Sequence, residues 1–235
     1  MTNTNRSYLS SPVNAIIEGI YEEHVPFSEI RRYGDFGLGT FDMLDGEMVM
    51  LDGRIFQMTA DGCVQEVNDD ATTPFACVTF FRPEQTIALD GELDYDAFLR
   101  RLQEPLPSPN IFYAFRIEGE FAYMKVRSVP KSECYVPLVE IAKEQPVFEF
   151  ENITGTLAGF YTPEFMSSVS VPGMHLHFLS DDLAHGGHLL TCRPRRVRAG
   201  IQSLYAMELA LPTTPYYLGW NFSRDVAQDL EKAEK

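Results

Sequence analysis

Residues 171–192 read VPGMHLHFLSDDLAHGGHLLTC, and this stretch holds four of the five histidines of the protein. His175 and His177 alternate with apolar residues, which is the two-residue period of a β-strand that points both imidazoles to one face. The serine, aspartates and glycines that follow have the composition of a turn, and the apolar run after His188 is typical of a returning strand. The stretch therefore predicts a β-hairpin in which His188 lies beside His177.

Three imidazoles on two neighbouring strands form a candidate metal site. They can occupy three corners of a tetrahedron and leave the fourth to water or substrate, which distinguishes catalytic zinc sites from structural ones. The pattern also allows a simpler interpretation, in which the histidines are ordinary polar residues of a half-buried sheet. We expect His185 to lie in the turn, where its side chain is difficult to aim at the same metal, and His24 to lie at the surface. The candidate ligands are therefore His175, His177 and His188.

The composition describes a globular protein with little affinity for polyanions. The chain has 235 residues, of which 45% are hydrophobic and 12% aromatic, enough for one large domain or two small ones. A formal net charge of -15 argues against binding to nucleic acid or to anionic membranes, and it means that an anionic substrate needs a local cation. No apolar run is as long as a membrane span, and the polar N-terminus lacks the apolar segment of a signal peptide. The four cysteines are scattered without Cys-x-x-Cys spacing, so we expect reduced thiols and a cytoplasmic protein.

The rest of the chain predicts β-structure interrupted by short helices. Two Asp-Gly turns, at Asp45 and Asp52, punctuate β-prone runs, which is a strong hairpin signal. Ser28 and Asp94 are predicted helix caps. Helices are predicted within residues 26–33, 95–103, 136–143 and 225–235.

A domain boundary is predicted near residue 146. Strand-like alternation restarts at Phe148, and most of the chain beyond it has β character. We therefore divide the chain into residues 1–146, an N-terminal mixed α/β sheet domain, and residues 147–235, a C-terminal β domain with the histidine hairpin and a terminal helix.

Three blocks of the sequence resemble the alpha-acetolactate decarboxylase family. The first is residues 34–41, GDFGLGTF, with residues 44–47, LDGE. The second is Val126-Arg127 with Val129-Pro130, and the third is residues 154–188 around the histidine hairpin. The similarity spans nearly the whole chain, from about residue 15 to the C-terminal helix. Its most specific piece is His-x-His followed by ten residues and a third His.

The resemblance implies a fold, a cofactor and an activity. Members of this family are two-domain α/β proteins and dimers, with a zinc ion held by three histidines between the domains, and they convert acetolactate to acetoin and carbon dioxide. We therefore expect an α/β (α+β) fold with two β-rich domains, a mixed N-terminal sheet and a smaller, barrel-like C-terminal sheet. The zinc ligands would be His175, His177 and His188, and the chain would form a homodimer.

The resemblance also implies residues that complete the active site. Glu47 and Arg127 match the family pattern, and Thr40 lies near them. The family places a glutamate of the C-terminal segment at the metal, and here both Glu231 and Glu234 fit, with Glu234 slightly favoured. Without the resemblance, Glu47 could be a solvated residue, Arg127 could belong to a surface or interface ion pair, and the C-terminal segment could be a solvated tail.

The implied reaction suits these residue types. Loss of carbon dioxide from a 2-hydroxy-3-oxo acid leaves an electron pair that moves into the neighbouring carbonyl, so the expected route passes through an enediolate stabilised by zinc. Arg127 would hold the substrate carboxylate or the developing enediolate with its planar pair of donors. Glu47 would deliver the proton that sets the configuration of the product.

The sequence is also compatible with two other functions. A cupin-like metalloenzyme also begins its site with His-x-His on a strand, but it usually has a glutamate within a few residues, where this chain has Asp181 and Asp182. The other alternative is a non-enzymatic β-rich protein whose histidines hold a structural metal or none.

Overall fold

The computed structural model describes residues 5–22, 24–132, 134–224, 226 and 229–230. Strands dominate these residues, and the helices between them are short. The strands are β1 (Arg6–Leu9), β2 (Val25–Pro26), β3 (Phe36–Thr40), β4 (Glu47–Leu51), β5 (Arg54–Met58), β6 (Val64–Glu66), β7 (Thr72–Thr73), β8 (Ala76–Thr79), β9 (Gln85–Asp90), β10 (Phe112–Arg127), β11 (Val147–Thr162), β12 (Gly173–Ser180), β13 (Gly186–Leu204) and β14 (Ala206–Leu209). The α-helices are α1 (Val13–Ile17), α2 (Phe27–Ile30), α3 (Tyr95–Gln103), α4 (Leu138–Ile141) and α5 (Pro215–Gly219). The predicted β-rich fold with several sheets is confirmed.

A seven-stranded sheet has the strand order β14-β1-β8-β3-β4-β5-β6. The sheet is mixed, because β1 and β14 run parallel while its other neighbouring strands are antiparallel. The β4–β5 connection is the predicted Asp-Gly turn. Asp52 and Gly53 have φ angles of 51° and 76°, and a tight type I′ hairpin needs positive φ at both positions. This hairpin carries Glu47 as the first residue of β4.

A five-stranded sheet has the order β10-β11-β12-β13-β9, and β2 and β7 form a separate two-stranded sheet. In the five-stranded sheet β10 also pairs with β13, so β10, β11, β12 and β13 form a closed ring of antiparallel pairings. The β12–β13 pair is the predicted histidine hairpin. The ring includes β10, which precedes residue 146, whereas the barrel-like sheet was expected within residues 147–235.

The sheets do not divide the chain at residue 146. β9 and β10 precede this residue and belong to the five-stranded sheet, whereas β14 follows it and belongs to the seven-stranded sheet. Pairing between strands that are distant in sequence carries no local pattern, which is why residue order alone suggested a simpler division. The two domains 1–146 and 147–235 therefore stay a prediction.

Of the two predicted helix caps, one is confirmed and one is wrong. Asp94 caps α3 as predicted, and its Oδ1 accepts a hydrogen bond from the Ala97 amide at 2.7 Å. Ser28 is not a cap, since α2 begins at Phe27 and has no side-chain cap.

Among the described residues, none of the helices has the length and apolar composition needed to cross a membrane.

The helix predicted over residues 136–143 begins later than expected. α4 starts at Leu138 and is followed by a 3-10 turn, Ala142–Glu144. A residue that precedes proline is disfavoured in the α conformation, so Pro137 keeps Val136 out of the helix.

One hydrophobic cluster joins the two large sheets. It combines Leu38 and Val49 of the seven-stranded sheet with Phe160 and Leu179 of the five-stranded sheet. As a result, β4 lies against β11, β12 and β13. His175, His177 and His188 are therefore covered and buried, whereas the turn of their hairpin is exposed.

Candidate metal centre

The three predicted ligands lie together on the β12–β13 hairpin. His177 is directly opposite His188 in the strand register, and His175 lies two residues earlier on the same face of β12. The ring centroids are 5.0 Å apart for His175 and His188, 5.1 Å for His175 and His177, and 5.3 Å for His177 and His188. One nitrogen from each ring lies within 4.8 Å of the other two, and all three side chains are buried. The three histidines are therefore buried and clustered, which favours a metal site over ordinary polar residues of a half-buried sheet.

A backbone carbonyl fixes the orientation of one imidazole. Nδ1 of His177 lies 2.9 Å from the carbonyl oxygen of Met48 on β4. A carbonyl can only accept, so Nδ1 carries the proton and Nε2 presents its lone pair to the site. This is the outer contact that metal-binding histidines usually make. Within the described part of the chain, His177 Nε2 is buried and has no hydrogen-bond partner.

Burial keeps two of these imidazoles neutral, those of His175 and His177. It is the main cause that lowers the pKa of His175 to about 3, and the positive charge of Arg127 adds to the effect. Burial also holds the pKa of His177 well below its ordinary value, with further lowering from His175 and Arg127 and an opposing effect of the Met48 carbonyl. A histidine must be neutral to ligate a metal. The site therefore presents nitrogen donors in the protonation state that a metal requires.

Glu47 reaches the centre from the other sheet. Its side chain is only 5% exposed, and its Oε2 is 3.4 Å from Nε2 of His177. Because Nε2 presents a lone pair, these two atoms attract one another only when a proton or a cation lies between them. Three imidazole nitrogens with an adjacent carboxylate fit a divalent metal of the zinc type.

Arg127 supplies positive charge beside the histidines. It is the last residue of β10, and its register partner on β13 is His188. The residue is 7% exposed, so it is buried and does not lie at the surface. Arg116 on the same strand is different: it makes surface ion pairs with Asp52 and Glu118.

Both polar and apolar residues line a cavity that adjoins the centre. Its polar lining includes the three histidines, Glu47 and Arg127. Thr40 also lines the cavity, and its hydroxyl donates to the Gly46 carbonyl at 2.7 Å, so it secures the chain just before Glu47. The remaining lining residues are Val13, Ile16, Gly39, Leu44, Phe75, Val129, Leu138 and Gln145. This shape and polarity suit a small molecule with one polar end.

Comparison with known protein families identifies the family of this chain. A family model described as "Alpha-acetolactate decarboxylase" matches residues 8–224. The chain belongs to this family.

Individual relatives agree over nearly the whole chain. An alpha-acetolactate decarboxylase of Methanosarcina mazei is 41% identical over 231 residues, which cover 97% of this chain and 80% of that protein. That of Bacillus subtilis is 37% identical over 229 residues, which cover 97% of this chain and 90% of that protein. The crystal structure of alpha-acetolactate decarboxylase from Bacillus subtilis has a TM-score of 0.94 at 36% identity, covering 97% of this chain and 99% of that one. The resemblance read from three sequence blocks is confirmed.

The other predicted residues of this family member have separate positions. His185 lies in the hairpin loop as predicted, with its ring centroid 4.5 Å from that of Phe150. His24 is at the surface as predicted, 2.8 Å from an oxygen of Asp42. Glu231 and Glu234 lie outside the described residues. All four cysteines are unpaired.

Two functional groups had no signal in the sequence. The Met48 carbonyl is a backbone atom, so no residue type announces it. Gln145 lines the cavity, but it follows a predicted helix and belongs to no motif. Both are recognised only when β4 and the residues before β11 are seen to meet at the hairpin.

Proposed function

We propose that this chain decarboxylates 2-acetolactate to acetoin and carbon dioxide, and that it holds a divalent metal, with Zn²⁺ as the first candidate. The observation that carries the proposal is the buried histidine triad, which lines one cavity together with Arg127 and Glu47. The names of the relatives, all alpha-acetolactate decarboxylases, support the substrate. His175, His177 and His188 would be the protein ligands.

In this proposal the histidines hold a metal that stabilises negative charge during the reaction. When bound, the metal supplies a Lewis acid for the oxygen that gains negative charge as carbon dioxide leaves. The histidines hold it, and the Met48 carbonyl keeps His177 in the tautomer that allows this. The site is enclosed by β4, so the electrostatic interactions within it are strong.

Arg127 would bind the carboxylate end of the substrate. The whole chain carries a formal charge of -15, which opposes an anionic ligand at long range. A buried guanidinium overcomes this locally, because charge attraction is stronger away from water and its two parallel N–H groups match a carboxylate. The carboxylate would then lie at the polar side of the cavity, with the methyl groups toward its apolar side.

Glu47 would deliver the proton that C2 receives after carbon dioxide leaves. As the bond between the carboxyl carbon and C2 breaks, its electron pair moves into the neighbouring ketone, and C2 must then receive a proton. Glu47 lines the cavity, and its Oε2 lies beside His177, so it would be in reach of that carbon. A proton delivered from one wall also gives one configuration of acetoin. Thr40 would contribute by securing the start of β4.

We further propose that a glutamate of the C-terminal segment, Glu234 or else Glu231, reaches the cavity. Val226 and Leu230 support this, because both are buried in the hydrophobic cluster that includes Val13 and Leu138 of the cavity wall. Arg224 also pairs with Glu18 at 2.9 Å. A homodimer, a cytoplasmic location and a metal site between two domains remain parts of the same proposal.

Product analysis tests the proposed activity. Purified protein is incubated with racemic 2-acetolactate, and acetoin is measured by chiral chromatography against the spontaneous rate. We expect carbon dioxide and acetoin in equal amounts, with one acetoin enantiomer in excess. An oxygen-dependent product would instead favour the cupin-like alternative, and no product from protein that binds metal would favour the non-enzymatic one.

A further inference from the structure

Gln145 is a polar group of the cavity wall that the proposed reaction has not used. It lies between the 3-10 turn Ala142–Glu144 and β11, and its side chain lines the cavity. Its Oε1 is buried and has no hydrogen-bond partner among the residues that the structure describes. A buried acceptor without a donor is unfavourable. This atom is therefore suited to a donor that arrives with a ligand.

The backbone holds Gln145 beside the metal centre. The amide of Ser128 donates to the carbonyl of Pro146 at 3.3 Å, which joins the residue after Arg127 to the residue after Gln145. The hydroxyl of Ser128 donates to the Met58 carbonyl at 2.6 Å, so this connection is itself anchored on β5. Gln145 and Arg127 thus face the cavity from two neighbouring, mutually fixed segments.

The substrate class that we propose offers a matching donor. A 2-hydroxy-3-oxo acid has an ionised carboxylate and a ketone, which only accept, and a single hydroxyl, which donates. Arg127 has only donor groups, which suits it to the carboxylate. An amide oxygen suits the hydroxyl.

We propose that Gln145 binds the 2-hydroxyl of the substrate and so determines specificity for 2-hydroxy acids. This inference rests on the proposed function. A neutral amide is better placed here than a carboxylate, because it accepts from the hydroxyl without adding negative charge beside the substrate's own carboxylate. Its NH₂ group can also donate to that carboxylate. A ligand that lacks the hydroxyl leaves the amide oxygen unpaired, which is how a polar site rejects an apolar analogue.

Two ligands of nearly equal shape test the proposal. 2-Hydroxy-2-methylbutanoate and 2,2-dimethylbutanoate differ by a hydroxyl against a methyl group. Their dissociation constants are measured by calorimetry on metal-loaded protein for the wild type, Gln145→Met, Gln145→Leu and the control Gln65→Leu. Gln65 is an exposed residue of β6 outside the cavity. Metal content and melting temperature are recorded for each variant.

The readout is the ratio of the two dissociation constants, which general damage to the site does not change. We expect the wild type and Gln65→Leu to prefer the hydroxylated ligand, and the preference to fall about fivefold or more in both Gln145 variants, the scale for one hydrogen bond. An unchanged ratio in either folded, metal-loaded variant overturns the proposal, as does equal weakening of both ligands, which a packing role predicts. Failure of the proposed function would appear separately, as a wild type that produces no acetoin from 2-acetolactate.

Discussion

At the scale of single residues, the centre depends on lone pairs that are kept available. His177 has its Nδ1 proton engaged by a carbonyl, so only Nε2 faces the site. Burial lowers the pKa of His175 and of His177, which removes competition from protons near neutral pH.

Removing any of the three ligands should empty the site. His175→Ala, His177→Ala and His188→Ala each remove a nitrogen donor, so we expect metal affinity to fall by more than the ~10²-fold that loss of a ligand's outer partner costs. His185→Ala is the matched control, because that ring packs on Phe150 in the loop. Metal content after dialysis and acetoin formation are the measurements. Loss of metal in the His185 variant, with retention in the His188 variant, would contradict the ligand assignment.

Arg127 and Arg116 both lie on β10, so substituting each in turn compares a cation in the site with a cation at the surface. Arg127→Lys keeps the charge but loses the forked donors, and we expect turnover to fall roughly 10²-fold, the scale for loss of one oriented donor. Arg116→Lys should be nearly neutral, because its ion pairs with Asp52 and Glu118 are at the surface. Kinetics are compared at matched metal content. Equal effects of the two substitutions would argue against a substrate-binding role for Arg127.

Glu47→Gln tests the proton donor. The amide has nearly the same shape but cannot exchange a proton, so turnover should fall by about 10² or more, as for other general acids. The product should also lose its enantiomeric excess, because protonation would then come from solvent. Chiral analysis of acetoin at equal metal content measures both effects. Normal turnover with unchanged chirality would assign protonation to another group.

At the scale of elements, the site depends on close contact between strands. Gly159 on β11 has no room for a side chain, since a Cβ there would lie 2.0 Å from the His175 carbonyl oxygen. The β11–β12 pairing therefore needs glycine at this position in order to hold His175 in place.

Gly159→Ala should consequently damage the metal centre although it removes no ligand. We expect a loss of ~1–3 kcal/mol in the free energy of unfolding, typical of overpacking, together with weaker metal binding. Gly219→Ala is the control, because a Cβ at Gly219 meets no atom within 4 Å and φ is not in the left-handed region. Denaturant unfolding and metal titration are the measurements. A Gly159 variant with the stability and metal affinity of wild type would show that β11 can shift without moving the ligand.

Local elements were predictable where one residue type determines them. The alternation around His175 and His177 predicted β12, and Asp94 and the Asp52 turn predicted a helix start and a hairpin. The apolar pattern predicts a start of α4 two residues too early, because Pro137 disfavours the α conformation at Val136.

At the scale of the whole molecule, the centre exists only because distant segments meet. The proposed ligands come from residues 175–188, Glu47 from the seven-stranded sheet and Arg127 from β10. Local patterns predicted each segment but not which sheet it joins, and the family resemblance supplied Glu47 and Arg127 as site residues. Gln145 and the Met48 carbonyl were missed because their role depends on that assembly alone.

The C-terminal segment gives a whole-molecule prediction. Val226 and Leu230 are buried, so the segment has more apolar packing than a solvated tail. Deletion of residues 231–235 keeps both anchors, and we expect normal stability and metal content with lower turnover or lower enantiomeric excess. The deletion should begin after Leu230, because loss of that side chain would cost ~2–5 kcal/mol of core packing. Unaltered kinetics and product chirality in the truncated protein would mean that neither Glu231 nor Glu234 acts in the reaction.

The central claim is that the histidine triad and its metal make this chain a decarboxylase of 2-acetolactate. The most direct test is to strip the purified protein with a chelator and follow carbon dioxide release during stepwise addition of Zn²⁺. The account predicts no release above the spontaneous rate without metal, and a linear rise that stops near one ion per chain, about the stoichiometry of a single catalytic zinc site. Full release by the stripped protein, or none at any metal content, would contradict it.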